Sequence, residues 1–168
     1  MLILMIGIPG SGKTTLRNKI TSGMTLICPD DFIGYTKRDP WTPRAAREAW
    51  RKADILLKEC LQKGEELIVF DATFVNPKKR SKYIRMAQKY NTDIAAIYCQ
   101  VPLSVAIQRN ASRDFARQVP EDTIKSMNGR LKPPQKEEGF KYVLTFDSET
   151  NKLKGDILPR VKAFLEAK

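Results

Sequence analysis

Residues 7–14 read Gly-Ile-Pro-Gly-Ser-Gly-Lys-Thr, directly after the apolar run Leu2-Ile3-Leu4-Met5-Ile6 and directly before a segment of helical pattern. This G-x-x-x-x-G-K-[ST] string is the strongest single constraint in the chain. Between a buried strand and a helix it wraps successive backbone N–H groups around an anion at the helix N-terminus. The glycines are needed because the backbone turns against that anion, where a Cβ would intrude. In such a loop Lys13 reaches the terminal phosphates of a nucleoside triphosphate and the Thr14 hydroxyl ligates Mg²⁺, with Gly10, Ser11, Gly12 and Thr15 completing the cradle.

The rest of the chain supports the same reading. Apolar runs at about 2–6, 24–28, 67–71, 94–99 and 142–146 alternate with helical patterns, the signature of a parallel α/β sheet with helices on both faces. The longest helix is predicted from Thr42-Pro43, a capping residue followed by a proline, to Gly64. Others are expected near Pro77, over 103–114, after Pro120 and over 156–167, with loops at 32–41 and 131–139. At 168 residues and 42% apolar content, one core and one domain spanning 1–168 are expected.

Composition excludes several chemistries. There is no histidine, so a Ser-His-Asp triad, a Cys-His pair and imidazole acid-base work are ruled out, and proton transfer falls to a carboxylate, a lysine or water. Three scattered cysteines, Cys28, Cys60 and Cys99, argue against a disulfide framework and for a reducing cytoplasm. The apolar N-terminus reaches Pro9 too soon for a signal peptide or a membrane span, so no membrane partner is expected. Thirty basic against nineteen acidic residues give a net charge of +11, which favours a polyanionic partner. A guanine-specific N-K-x-D motif is missing, since Asn151-Lys152-Leu153-Lys154 lacks the aspartate, and the chain is short for a large ATPase motor.

Two strands end in acids, where ligands of open α/β sheets bind. The second runs into Pro29-Asp30-Asp31, and the third, Leu67-Ile68-Val69-Phe70, ends in Asp71. Either Asp30 or Asp31 can take a proton from a substrate hydroxyl during phosphoryl transfer, or simply cap the next turn. Asp71 can hold a metal-bound water, orient Lys13 or substrate, or close a strand-end turn.

Two basic segments stand out. From Pro77 to Tyr90 the chain carries Lys78, Lys79, Arg80, Lys82, Arg85 and Lys89 and no acid, which suits a phosphodiester backbone and equally a solvated face. Arg109, Arg113 and Arg117 are spaced by four, so on a continuous helix they form one stripe, a lid over phosphates within about 103–130 or a plain helix surface.

Taken together, GIPGSGKTT, PDD after the second strand, VFDATFVNPKKR and VPLSVAIQRNASR resemble the 5′-kinase domain of bacteriophage T4 polynucleotide kinase and its P-loop relatives, over about residues 1–130. That resemblance implies that Lys13 and Thr14 handle ATP and Mg²⁺, Asp30 is the general base on the 5′-hydroxyl, Asp71 supports the site and Arg113 is the lid arginine on the transferring phosphate. Arg109 and Arg117 are expected to bind substrate beside it. The family has an arginine three residues after its base aspartate, which holds a 3′-phosphate. Ile33 stands there in this chain, leaving Lys37 or Arg38 as substitutes. No DxDGT-type phosphatase motif is present, since Asp71-Ala72-Thr73 lacks the second aspartate.

The expectation is therefore a P-loop kinase fold, a five-stranded parallel sheet in the order 2-3-1-4-5, acting with ATP and Mg²⁺ on 5′-hydroxyl DNA or RNA ends, with no obligate protein partner. The rivals are a small-metabolite kinase for a nucleoside or sugar, and a non-catalytic, ATP-gated nucleic-acid-binding protein.

Overall fold

The computed structural model describes residues 1–20, 23–33 and 42–155. Strand β1 (Leu2–Ile6) leads through the glycine loop into helix α1 (Lys13–Ile20), followed by β2 (Thr25–Ile27), α2 (Pro43–Gln62), β3 (Ile68–Asp71) and α3 (Pro77–Lys89). Next come β4 (Ile94–Gln100), α4 (Leu103–Ala111), α5 (Glu121–Arg130), β5 (Tyr142–Asp147) and β6 (Lys152–Gly155). The expected helix at 156–167, and Lys37 and Arg38, lie outside the described residues.

The strands of the described residues join one sheet in the order β2-β3-β1-β4-β5-β6. Neighbours from β2 to β5 run parallel, which places every loop after a strand at the same edge. The expected order of the first five strands is observed, and among the described residues the expected count of five is corrected to six by an antiparallel strand that pairs Leu144 with Gly155 and Asp147 with Lys152. The sequence hides β6 because an edge strand needs no apolar run. Of Lys152-Leu153-Lys154-Gly155 only Leu153 packs against the core, and both lysines are exposed.

Strand β1 is fully buried, and its period of two divides the core. Leu2, Leu4 and Ile6 pack with α2 and α3 residues, whereas Ile3 and Met5 pack with Leu16 and Ile20 of α1 and Phe146 of β5. On the first face Trp50, Phe70, Phe74 and Tyr83 form an aromatic cluster, with Phe70 and Tyr83 edge to face at 5.0 Å.

Local signals set the helix starts. Thr42 Oγ1 accepts from Ala45 N at 3.1 Å ahead of Pro43, and Asn76 Oδ1 accepts from Lys79 N at 2.9 Å ahead of Pro77. Helix α4 stops at Ala111, short of the expected 114, and gives way to a 3₁₀ turn at Phe115–Arg117. The segment 131–139 is a loop as expected, with a 3₁₀ turn at Lys136–Glu138. All three cysteines are buried free thiols.

Candidate active site

The loop after β1 is gripped from two sides. Gly10 and Gly12 hold φ of 81° and 88°, in the left-handed region that glycine adopts without strain. A Cβ on Gly10 would stand 2.2 Å from the Ala106 carbonyl oxygen of α4, and one on Gly12 would stand 2.7 Å from Ser148 Cβ in the turn after β5. The glycine pattern thus serves close approach of α4 and that turn as well as the turning of the loop.

Lys13 opens α1, and its ammonium arches back over the loop to donate to Gly7 O at 2.8 Å and Ile8 O at 2.9 Å. Burial pulls its pKa below the usual lysine value. Asp71, the Cys99 thiol and Asp30 oppose that shift and Arg113 adds to it. The charges of Asp30, Asp71 and Arg113 therefore all reach the Lys13 ammonium, although these residues come from three separate parts of the chain.

Asp71 is buried at the end of β3 and accepts from Arg17 Nη1 at 3.1 Å. Burial raises its pKa, Lys13 and Arg17 draw it down, and Asp30 pushes it up again. Of the roles open to Asp71 in the sequence, a bond to Arg17 was not among them. The signal was present, because Arg17 lies four residues after Lys13 and so one turn along the same helix face.

Asp30 lies on a 3₁₀ turn, Pro29–Phe32, immediately past β2, and is exposed. The N-cap of that turn is Cys28 and that of α2 is Thr42, so neither Asp30 nor Asp31 serves as a helix cap. Ile33, at the position of the family's arginine, closes the turn with its N–H on Asp30 O at 3.2 Å.

The arginines are placed differently from the expected stripe. Because α4 ends at Ala111, Arg109 belongs to its last turn, Arg113 to the following loop and Arg117 to the 3₁₀ turn, so the three do not share one helix face. Arg109 donates through Nη1 to Ser148 Oγ at 2.7 Å and through Nη2 to Ser148 O at 3.2 Å, which binds α4 to the turn pressed against Gly12. Arg113 and Arg117 are exposed. Their loop is held by side chains that no motif marks. Buried Asn110 donates to Val119 O at 2.8 Å and accepts from Val119 N at 3.0 Å, while Gln118 Nε2 donates to Ala111 O at 3.0 Å and Arg113 O at 2.9 Å.

The one-signed face of α3 is corrected. Arg80 is fully buried, Lys82 pairs with Asp54 of α2, and Lys79 Nζ lies 5.6 Å from the centre of the Trp50 ring. Lys78, Arg85 and Lys89 remain on the exposed side. The D-x-x-x-x-N-P-x-x-R element resolves into Asp71 at the site, Asn76 capping α3, and Arg80 anchoring it from within.

Thr14 and Thr15 are exposed on the first turn of α1, beside a cradle that a Cβ would fill. Among the described residues no cluster of three His, Cys, Asp or Glu side chains is positioned to hold a metal ion. That donor set fits Mg²⁺ held by one hydroxyl together with nucleotide phosphate oxygens, the usual arrangement for this hard, reluctantly dehydrated cation. Among the described residues no helix is long and apolar enough to cross a membrane.

Solved structures share this architecture. A provisional kinase from Chloroflexus aurantiacus J-10-fl superposes with a TM-score of 0.67 at 20% identity, covering 88% of this chain and 87% of that one. A gluconokinase from Sinorhizobium meliloti 1021 gives 0.61 at 17%, covering 98% and 91%. A chain of the Pnkp1/Rnl/Hen1 RNA repair complex gives 0.66 at 19%, covering 94% of this chain and 48% of that one. These likenesses establish the fold, and a model of the AAA domain family matches residues 2–134. With Lys13 arched over its phosphate loop and Asp71 ending β3, the chain belongs to the AAA domain family and has the α/β P-loop kinase fold.

Proposed function

We propose that this protein is an ATP-dependent polynucleotide 5′-hydroxyl kinase, which moves the γ-phosphate of ATP to the 5′-hydroxyl of a DNA or RNA end. The observation that carries the proposal is Asp30: an exposed carboxylate just past β2, excluded from capping, whose charge reaches both Lys13 and Asp71. In the reaction the 5′-oxygen attacks the γ-phosphorus, its proton passes to the Asp30 carboxylate, and the bond between the γ-phosphorus and the β–γ bridging oxygen breaks to leave ADP. Lys13 exchanges a carbonyl contact for phosphate oxygens, and Arg113 neutralises charge on the transferring group. Asp71 and Arg17 hold the floor beneath Lys13. Thr14 would hold Mg²⁺, which when bound would offset the negative charge of the phosphates.

The nucleic-acid acceptor is supported by the four sequence elements shared with the polynucleotide kinase family and by the net charge of +11. A second reading, a kinase of a small polyol or nucleoside, is favoured by the burial of Arg80 and the pairing of Lys82 with Asp54, which take two of the six basic residues of α3 out of use for a ligand. Transfer of γ-labelled phosphate to a panel of 5′-hydroxyl oligonucleotides, nucleoside 3′-phosphates, free nucleosides and sugars tests the two together. Labelling of the oligonucleotides supports the proposal. Labelling confined to a sugar or nucleoside replaces it with the second reading, and ATP binding without labelling of any acceptor points to a non-catalytic switch.

A further inference from the structure

Phe115 is 81% exposed, by far the most exposed large apolar side chain among the described residues. It begins the 3₁₀ turn Phe115–Arg117 and lies in sequence between exposed Arg113 and exposed Arg117. An aromatic ring left in water on a loose tail would need no explanation. This one is held out by a braced loop, since Asn110 binds both polar groups of the Val119 backbone and Gln118 binds two carbonyls across it. Within the loop Arg117 N donates to Asp114 O at 2.8 Å and Gln118 N to Phe115 O at 3.2 Å. The fold therefore preorganises the backbone that carries the ring, just past the end of α4, the helix whose Ala106 lies against Gly10 and whose Arg109 is bonded to Ser148 beside Gly12, and this lowers the ordering cost to a ligand that covers the ring.

We propose that Phe115 is a stacking platform for a nucleobase of the acceptor strand, with Arg117 beside it for the adjoining backbone phosphate. This rests on the polynucleotide reading above and deepens it. A rigid aromatic flanked by arginines is the composition that single-stranded nucleic acids select, because every base offers a π-face to the ring while the guanidinium groups meet the phosphates. The aromatic face is matched to a flat partner, and the two cations set the charge that partner must carry beside it. A sugar or another small polyol offers neither. The other source of the same chemistry is the adenine of ATP, and the test separates the two.

The experiment uses steady-state kinetics of the full chain with three acceptors: a 5′-hydroxyl oligonucleotide, the same oligonucleotide with abasic sites at its first two positions, and the same with only the second abasic. KM for ATP is measured in parallel. Phe115→Ala is expected to raise KM for the intact oligonucleotide between about fivefold and a hundredfold, as loss of one base–aromatic stack does. It should leave KM for ATP unchanged and have little effect on the doubly abasic acceptor, while Phe115→Trp restores wild-type behaviour. An equal loss on intact and doubly abasic acceptors, or a rise confined to KM for ATP, overturns the proposal. The second outcome would assign the ring to adenine. If the wild type labels none of the oligonucleotides, the polynucleotide reading fails and the platform falls with it. If the wild type labels them and Phe115→Ala does not distinguish base from abasic, the platform alone falls.

Discussion

Arg80 and Glu138 meet through two parallel bonds, Nε to Oε2 at 2.7 Å and Nη2 to Oε1 at 2.6 Å, across 58 positions of sequence. The remaining guanidinium nitrogen, Nη1, donates to Phe74 O at 3.0 Å and Lys132 O at 2.9 Å, so each of its three nitrogens is engaged. Glu138 Oε1 also accepts from Gln135 N at 3.1 Å. This one side chain ties α3, the loop after β3 and the segment at 131–139 together. The same β3 loop reaches the phosphate-binding loop, where Thr73 O accepts from Gly7 N at 3.1 Å.

Removing one partner of such a buried pair strands the other, so Arg80→Ala and Glu138→Gln should each lower unfolding free energy by about 3–5 kcal/mol. Urea denaturation followed by circular dichroism measures this directly. A loss below about 1 kcal/mol for both variants would mean that the pair is not an anchor of the fold.

Lys13→Ala should abolish phosphate transfer while leaving the urea midpoint close to wild type. The ammonium is partly buried over the loop and depressed in pKa by that burial, so its loss removes a charge that the apolar core does not use. Near-wild-type turnover of this variant would contradict the assignment of the site.

At Asp30 the expected effect is on chemistry alone. Asp30→Ala should lower kcat by about 10² to 10⁴, the usual share of a general base, with KM for ATP little changed. Asp31→Ala is the control. If Asp31→Ala is the crippled variant, the base has been assigned to the wrong neighbour.

Asp71 predicts a pH dependence of stability. Burial raises its pKa above 3.8, so the native state keeps the proton to higher pH than the unfolded chain does. Its contribution to stability is then fully present below the unfolded value of 3.8 and is lost as pH rises through the raised native pKa. Asp71→Asn cannot titrate. The difference in unfolding free energy between the two proteins should move against wild type as pH rises from the unfolded value through the raised native pKa and then level off. A difference that stays constant, or moves in favour of wild type, would place the native pKa at or below the unfolded one.

Helix α3 offers a test of how a polynucleotide lies on the surface. Exposed Lys78 and Arg85 should each contribute to the salt dependence of oligonucleotide KM, so that replacing either by Ala flattens the slope by up to about 0.7 per phosphate contact. Lys82→Ala should leave that slope unchanged, because its charge already faces Asp54, and should cost at most about 1 kcal/mol of stability. Equal slopes for wild type and Lys78→Ala/Arg85→Ala would return this helix to a solvated face.

The phosphate loop was legible because everything that makes it work is consecutive: a buried strand, the glycines and the first turn of a helix, all between Leu2 and Ile20. Helix starts at Pro43 and Pro77 were legible for the same reason, since a cap bonds three residues ahead. The strand-end position of Asp30 and Asp71 also follows from patterns that repeat within short windows, whereas the order of the first five strands was expected from the P-loop kinase reading as a whole. Contacts closed between distant segments were not legible. Arg17 with Asp71, Arg109 with Ser148, Arg80 with Glu138 and β6 with β5 are separated in sequence and leave no spacing to read. The letter R at 80, 109 and 117 denotes the same side chain in a buried anchor, a clasp on the phosphate loop and an exposed turn. Charge is a property of the residue and is fixed by the sequence. Burial belongs to the residue's neighbours, and only the packed chain decides which arginine is left for a ligand.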